Sequence, residues 1–281
     1  MKSQSLHITS EFESLDIFRL TPKNITLSEH VGDERTFAVI DLETTGYGKD
    51  AEIIELGAVK VQYSPSTRRI TSINVGLSLL EQPSEPILVE AMEIHGITDE
   101  EVEGKMFDDS KVLSFFDDIE FVVSHNTSDR PLFDCRFPEL CALPWACSSI
   151  DIPWRKYGFS TCVLELLGFK NGFTFEAHRA PHDAFAVAVL LTTDNKYFQH
   201  ILDAITNVMY RICAFGSPYE VKDLLNSRGY VWDDTNTGFG YWSITVLSEK
   251  AKDDELDFLE DTYGGFNSAS ICLVDATTRF K

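Results

Sequence analysis

The 281-residue chain lacks the long apolar run that a membrane-spanning helix requires. Its longest apolar run covers residues 184–191, whereas a span needs roughly 20 residues. The N-terminal segment also lacks the apolar core of a secretory signal, so we expect a cytoplasmic protein. Positive charge is scarce as well, because 24 Lys and Arg stand against 45 Asp and Glu, a net charge of −21. Bulk charge therefore does not hold this protein on nucleic acid or on an anionic membrane.

None of the six cysteines belongs to a C-x-x-C pair, a spacing typical of zinc and redox sites. We therefore expect free thiols in a reducing compartment. The chain also lacks long Gly/Ser/Pro linkers, low-complexity tracts and internal repeats. Apolar residues, in contrast, make up 43% of the sequence and aromatic residues 12%, enough for a hydrophobic core. This composition excludes a mostly disordered chain.

The order of predicted elements indicates an α/β domain over about residues 36–200. Residues 37–40 form an apolar run that predicts a buried strand, and two further strands follow in an antiparallel meander. Helices and a strand alternate after them, and residues 183–192 are apolar almost throughout, which is typical of a buried helix. This order favours a mixed sheet flanked by helices. The polar residues 1–35 are interpreted as an N-terminal extension.

Residues 208–281 show a different pattern and predict a second, small α+β domain. Their predicted order is strand, helix, two strands, helix and strand, the βαββαβ arrangement of ferredoxin-like domains. Tyr230, Trp232 and Trp242 either form its core or stack on nucleic-acid bases. Seven Lys and Arg against twelve Asp and Glu favour contact with a protein partner or a supporting role.

Asp41 and Glu43 directly follow the first apolar strand. Because side chains alternate along a strand, these two carboxylates lie on one face. Adjacent carboxylates repel each other unless a cation lies between them, and hard divalent ions prefer carboxylate oxygen. The pair is therefore either a solvated strand end or half of a metal site, and the apolar lead-in and the following Thr-Thr-Gly favour the metal site.

Two further acids stand at predicted helix starts. Asp129 follows a strand and a polar turn, and Asp183 begins the apolar helix, five residues after His178. Each acid is explained equally well as a helix cap. His178, on the preceding loop, has a side chain whose ordinary pKa of about 6.5 suits proton transfer at neutral pH.

In this order the motifs resemble those of the DEDDh family of 3′→5′ exonucleases, which includes the proofreading (epsilon) subunit of bacterial DNA polymerase III. The resemblance extends over roughly residues 36–193. Its motifs are Asp41-Leu42-Glu43-Thr44-Thr45-Gly46 followed by residues 53–59, His95-Gly96-Ile97-Thr98, His125-Asn126 with Asp129, and His178-Arg179-Ala180 with Asp183-Ala184. Residues 208–281 resemble a small domain appended to some bacterial members.

The resemblance implies a ribonuclease H-like exonuclease fold and the release of nucleoside monophosphates from single-stranded DNA or RNA ends. It also implies two divalent ions, Mg²⁺ or Mn²⁺, which act on the attacking and leaving oxygens. The implied site residues are Asp41, Glu43, Asp129 and Asp183 as metal ligands, His178 as general base, and Thr44, Thr45, His95 and Asn126 as contacts to the terminal nucleotide.

The second motif departs from the family pattern. Three residues usually separate its Asn and Asp, whereas only Thr127 and Ser128 separate Asn126 from Asp129. Asp134 is therefore an alternative ligand, although we favour Asp129. Two alternative functions follow: a non-catalytic subunit that binds nucleic acid or protein, and an exonuclease limited to short oligonucleotides. The candidate phosphate contacts are Arg130, Arg155, Lys156, Lys170 and Arg179.

Overall fold

The computed structural model describes residues 18–20, 27–48, 50–233 and 240–281, so most of the extension predicted for residues 1–35 lies outside the described residues. The described residues divide into two compact units. The first comprises those up to Ile205 with Phe280 and Lys281, and the second comprises those within Thr206–Arg279. Across these residues, no helix combines the length and the apolar character needed to cross a bilayer.

The first unit is built on a five-stranded sheet with helices around it. Its strands are β1 (Phe18–Leu20), β2 (Arg35–Thr44), β3 (Ile53–Ser64), β4 (Arg69–Leu80), β5 (Ile119–Ser124), β6 (Trp145–Cys147) and β7 (Thr174–Phe175). Its helices are α1 (Val89–His95), α2 (Asp99–Val102), α3 (Asp109–Phe116), α4 (Asp129–Arg136), α5 (Ser148–Asp151), α6 (Leu164–Lys170), α7 (Ala180–Thr193) and α8 (Asn195–Thr206).

The strand order in this sheet is β4-β3-β2-β5-β6. Strands β2, β3 and β4 form an antiparallel meander, whereas β5 runs parallel to β2 and β6 parallel to β5. Strands β1 and β7 form a separate antiparallel pair. The predicted meander and the predicted mixed sheet flanked by helices are both confirmed.

The central strand β2 has a hydrophobic cluster on each of its faces. Phe37 and Val39 belong to the cluster that contains α7 and α8, and Ala38 and Ile40 belong to the cluster that contains α3 and α4. This alternation follows from the two-residue period of a strand. Helix α7 is buried from Ala180 to Thr192, which explains why its sequence is apolar on every side.

Helix α7 begins directly against β3, at Gly57. A Cβ atom on Gly57 would lie 2.1 Å from the Ala180 carbonyl carbon and 2.2 Å from the Pro181 nitrogen. Both are backbone atoms, so neither can rotate away. A residue without a side chain is therefore required for this approach.

We expect Gly57→Ala to displace the first turn of α7 and to lower the free energy of unfolding by about 1–3 kcal/mol. The melting temperature, followed by circular dichroism, should fall by at least about 2 °C. Ser78→Ala, on the exposed part of β4, is the control and should change stability by no more than about 0.5 kcal/mol. A Gly57→Ala protein as stable as the wild type would contradict the close approach.

The second unit has its own antiparallel sheet. Its elements are β8 (Met209–Ala214), α9 (Lys222–Arg228), β9 (Val231–Asp233), β10 (Tyr241–Val246), α10 (Glu249–Tyr263) and β11 (Ala269–Val274). The strand order is β11-β8-β10-β9, and the predicted βαββαβ order of elements is confirmed. Tyr230 is part of the buried core, whereas the Trp232 side chain is 50% exposed and contacts Trp242.

Candidate active site

Three carboxylates converge where β2 ends and α7 begins. One oxygen from each of Asp41, Glu43 and Asp183 lies within 4.8 Å of the others. Asp41 and Glu43 share a face of β2, and Asp183 lies in the first turn of α7. The close packing of α7 on the neighbouring strand β3 at Gly57 positions Asp183 at this edge of the sheet.

Asp129 borders the same cleft from the other side. It begins α4 after the short turn that follows β5, and because β5 is parallel to β2, the carboxyl ends of the two strands lie at one edge of the sheet. Asp129 is buried, and its Oδ2 has no hydrogen-bond partner within the described part of the chain. Asp134, in contrast, accepts a hydrogen bond from Nε of Arg130 at 3.3 Å and is not among the residues described as lining the cleft.

The cleft has a volume of about 680 Å³. Eight of the nine site residues predicted from the sequence line it: Asp41, Glu43, Thr44, His95, Asn126, Asp129, His178 and Asp183. Thr45 is not among its described lining residues, and its hydroxyl instead accepts a hydrogen bond from the Glu52 backbone N–H at 3.0 Å.

The two predicted site histidines differ in environment. His178 is half exposed on the loop before α7, its φ is +64°, and its Nε2 lies 3.5 Å from Oε1 of Glu165. His95 is buried, and its Nδ1 accepts a hydrogen bond from the Ile97 backbone N–H at 3.0 Å. Burial lowers the pKa of His95, so the imidazole is neutral at neutral pH.

Burial and repulsion from neighbouring carboxylates raise the pKa of every carboxyl group in the cluster. Burial is the largest cause for each, and repulsion from Asp183 adds to it for the other three. The pKa of Asp41 is well above its ordinary value. The pKa rises to about 8 for Glu43 and Asp129 and to about 7 for Asp183. The Arg179 guanidinium opposes the rise for Glu43, but burial and repulsion from the neighbouring carboxylates outweigh it.

The donor set fits a hard divalent cation. Mg²⁺ and Mn²⁺ prefer carboxylate oxygen, and four carboxylates converge here. The unpartnered buried Oδ2 of Asp129 is the kind of atom that a bound cation satisfies. A cation would also relieve the repulsion that raises these pKa values.

Metal-free protein should lose stability as the pH rises. The folded-state pKa values of Glu43 and Asp129 lie above the unfolded value of about 4, so between about pH 4 and pH 8 the folded state binds more protons. Stability therefore falls across this window. In EDTA, we expect the melting temperature to be at least about 4 °C lower at pH 8.5 than at pH 5.5.

Mn²⁺ or Mg²⁺ should raise the melting temperature at the higher pH by at least about 2 °C. Asp129→Asn is the control, because removal of one buried carboxylate should reduce both the pH dependence and the effect of the metal. A melting temperature that does not respond to either cation at any pH would show that the cluster does not bind them.

Arg130 and Glu55 are buried charged residues whose roles follow from their contacts. Arg130 was predicted as a phosphate contact, and this prediction is wrong, because its side chain is fully buried and donates to the carbonyls of Cys141 and Leu143. Glu55 received no role, although a charged residue in the apolar run of β3 was a visible signal. Its carboxylate is buried and pairs with the Arg179 guanidinium.

Known proteins with similar sequences include exonucleases and DNA polymerases. Residues 38–137 match a family model described as "Exonuclease" (RNase_T). The PolC-type DNA polymerase III of Thermotoga maritima is 32% identical over 182 residues, which are 59% of this chain and 12% of that protein. An uncharacterized exonuclease of Escherichia phage 186 is 40% identical over 83 residues, which are 28% of this chain and 37% of that protein. The chain thus spans a small part of these relatives.

Solved structures of exonucleases are also similar. Exonuclease X in complex with 5′-overhanging duplex DNA is 24% identical, with 57% of this chain and 92% of that chain covered and a TM-score of 0.41. Exonuclease I of E. coli in complex with a dA16 oligonucleotide is 13% identical, with 80% and 68% covered and a TM-score of 0.48. The family match over residues 38–137 confirms that this segment of the first unit is similar to exonucleases of the RNase_T family, as the sequence motifs predicted.

Proposed function

We propose that this protein is a metal-dependent 3′→5′ exonuclease that releases nucleoside monophosphates from single-stranded DNA or RNA ends. The observation that carries the proposal is the convergence of four buried or half-buried carboxylates and His178 in one cleft. The exonuclease family match over residues 38–137 supports it. The position of Asp129 in this cleft favours catalysis over a non-catalytic binding subunit, because the shortened second motif still supplies a carboxylate.

Asp41, Glu43, Asp129 and Asp183 would hold the Mg²⁺ or Mn²⁺ ions. Bound divalent ions lower the pKa of a water ligand and stabilise negative charge on phosphate oxygens. The imidazole of His178 accepts the proton of the attacking water, and its half-exposed position on a loop lets it reach a bound strand.

The remaining proposed residues would contact the terminal nucleotide of the substrate. Thr44, His95 and Asn126 line the cleft and would contact the sugar or phosphate. Thr45 would support them by holding the turn after β2, through its hydrogen bond with the Glu52 backbone.

Apolar side chains explain how an acidic protein would hold a polyanion. Tyr47, Ile94 and Val163 line the cleft and are 82%, 44% and 47% exposed. Stacking and packing against bases do not require positive charge and tolerate any sequence. Single strands expose their bases, so this lining favours single-stranded ends. Binding should be weak, because few phosphates are neutralised.

Hydrolysis of a 5′-labelled, roughly 20-nucleotide single strand with Mg²⁺, Mn²⁺ or EDTA tests the proposal. We expect a ladder that shortens from the 3′ end and that EDTA abolishes. Immediate release of a labelled mononucleotide would instead indicate the opposite polarity. Parallel assays with DNA, RNA and dinucleotide substrates identify the preferred substrate. Binding without turnover on all of them would favour a non-catalytic subunit, and turnover of the dinucleotide alone would favour an enzyme for short oligonucleotides.

A further inference from the structure

We propose that Glu55 and Arg179 form a positioning pair that holds the His178 loop against the sheet, so that the imidazole is directed into the cleft. The inference rests on the proposed function, in which His178 accepts a proton. It assigns a role to two residues that are neither metal ligands nor proton acceptors in that proposal.

The contacts between the pair are extensive. Nε of Arg179 lies 3.2 Å from both carboxylate oxygens of Glu55, and its Nη2 lies 2.7 Å from Oε1. The Ala180 backbone N–H, at the start of α7, donates to Oε2 of Glu55 at 2.8 Å. The Glu55 side chain is only 1% exposed. One carboxylate on β3 therefore holds two consecutive residues that follow His178.

His178 needs such an anchor because its own conformation is strained. Its φ of +64° is in the left-handed region, which a residue with a side chain rarely adopts and which persists only when the surrounding structure enforces it. Its side chain is half exposed, and its Nε2 lies 3.5 Å from Oε1 of Glu165. Helix α7, in contrast, is buried along its length, so its position depends on many apolar contacts besides the pair. Loss of the pair should therefore release His178 more than Asp183.

Electrostatics also argue for a role beyond stability. Glu55 lies directly opposite Glu43 in the antiparallel register of β2 and β3, so a further carboxylate is buried beside an already repulsive cluster. A buried ion pair seldom stabilises a fold more than apolar residues of similar size would. A bidentate Arg–carboxylate pair does impose a defined geometry. Positioning the adjacent loop is what this pair contributes at that location.

Glu101 supplies a matched control. It also pairs with Nη2 of Arg179, at 3.1 Å, but it is 37% exposed and lies on α2, whereas the Ala180 backbone N–H donates to Glu55. Exposed ion pairs of this kind contribute little to stability. Glu101→Gln thus removes one charge from the same arginine without removing the anchor to β3.

Steady-state hydrolysis by Glu55→Gln and Arg179→Gln tests the pair. We expect kcat to fall by about 10- to 100-fold while KM changes by less than about threefold, since misplacement of a reacting group mainly slows the chemical step. Arg179→Lys keeps the positive charge, so its kcat should fall less than that of Arg179→Gln. Glu101→Gln should remain within about twofold of wild type. In a His178→Ala background, Glu55→Gln should lower kcat by less than about a further threefold, because Glu55 acts through the His178 imidazole.

Hydrogen exchange provides a readout that needs neither metal nor substrate. Amides in residues 176–180 should exchange at least about tenfold faster in Glu55→Gln and Arg179→Gln than in wild type, and at the wild-type rate in Glu101→Gln. If the wild-type protein does not hydrolyse any substrate, the proposed function is wrong. The exchange rates would then still test whether the Glu55–Arg179 pair holds the loop. Unchanged exchange in both variants would overturn the inference. An unchanged kcat in both variants would also overturn it. The same would follow if Glu55→Gln lowered kcat as much in the His178→Ala background as in wild type.

Discussion

Asp41→Asn should reduce metal-dependent hydrolysis at least about 1,000-fold. Asp41 is at the centre of the carboxylate cluster, where Asp183, Asp129 and Glu43 all raise its pKa in addition to burial. An amide has the same shape but no negative charge, so the site loses the attraction that holds a divalent ion. Several kcal/mol of stabilisation depend on that ion, and each 1.4 kcal/mol corresponds to about a factor of ten in rate. Single-turnover assays with Mg²⁺ or Mn²⁺ measure the loss.

The stability of the same variant separates a lost site from a lost fold. Removal of one repelling carboxylate should leave the metal-free melting temperature unchanged or higher, and should weaken its increase with Mn²⁺. Asp134→Asn should show the opposite pattern, with reduced stability but retained turnover, because Asp134 pairs with the buried Arg130. Retained activity in Asp41→Asn, or inactivity in a stably folded Asp134→Asn, would refute this assignment of ligands.

His178→Ala should lower kcat by about 100- to 10,000-fold, the contribution typical of a positioned general base. His178 is half exposed, so its removal should leave stability and the Mn²⁺-dependent shift in melting temperature close to those of wild type. Added imidazole should restore part of the activity, because the cleft retains space for the missing ring.

His182→Ala is the matched control for this variant. His182 lies one turn further along the chain, in α7, and its Nδ1 is 3.0 Å from the Glu176 carbonyl oxygen. It is not among the described residues that line the cleft. Turnover by His182→Ala should stay within about fivefold of wild type, since the side chain does not reach the proposed reacting atoms. Equal losses in both variants would indicate that the loop, and not the His178 imidazole, is what hydrolysis requires.

Residues close together along the chain were predictable from the sequence. Asp41 and Glu43 interrupt an apolar strand at a two-residue spacing, and charged groups at such positions are costly unless they are paired or bind a metal. The apolar helix that begins at Asp183 and the βαββαβ order of residues 208–281 were equally visible, because both are local periodic patterns.

The choice between Asp129 and Asp134 required the tertiary structure. Both acids lie in α4, five residues apart, and the sequence pattern favoured Asp129 without excluding Asp134. The structure separates them because the start of a helix that follows a parallel strand lies at the edge of the sheet where the other carboxylates meet, whereas Asp134 lies one turn further along and faces the buried Arg130.

The sequence alone therefore determined the fold class and most of the residues that line the cleft, since these depend on which side chains recur at strand and helix periods. The tertiary structure alone decided which charges are neutralised within the protein. Glu55 and Arg179 are separated by 124 residues and meet because α7 lies on β3 at Gly57. Arg130 is enclosed by segments more than ten residues away. Such pairs follow from packing between distant segments, and no periodicity along the chain encodes them.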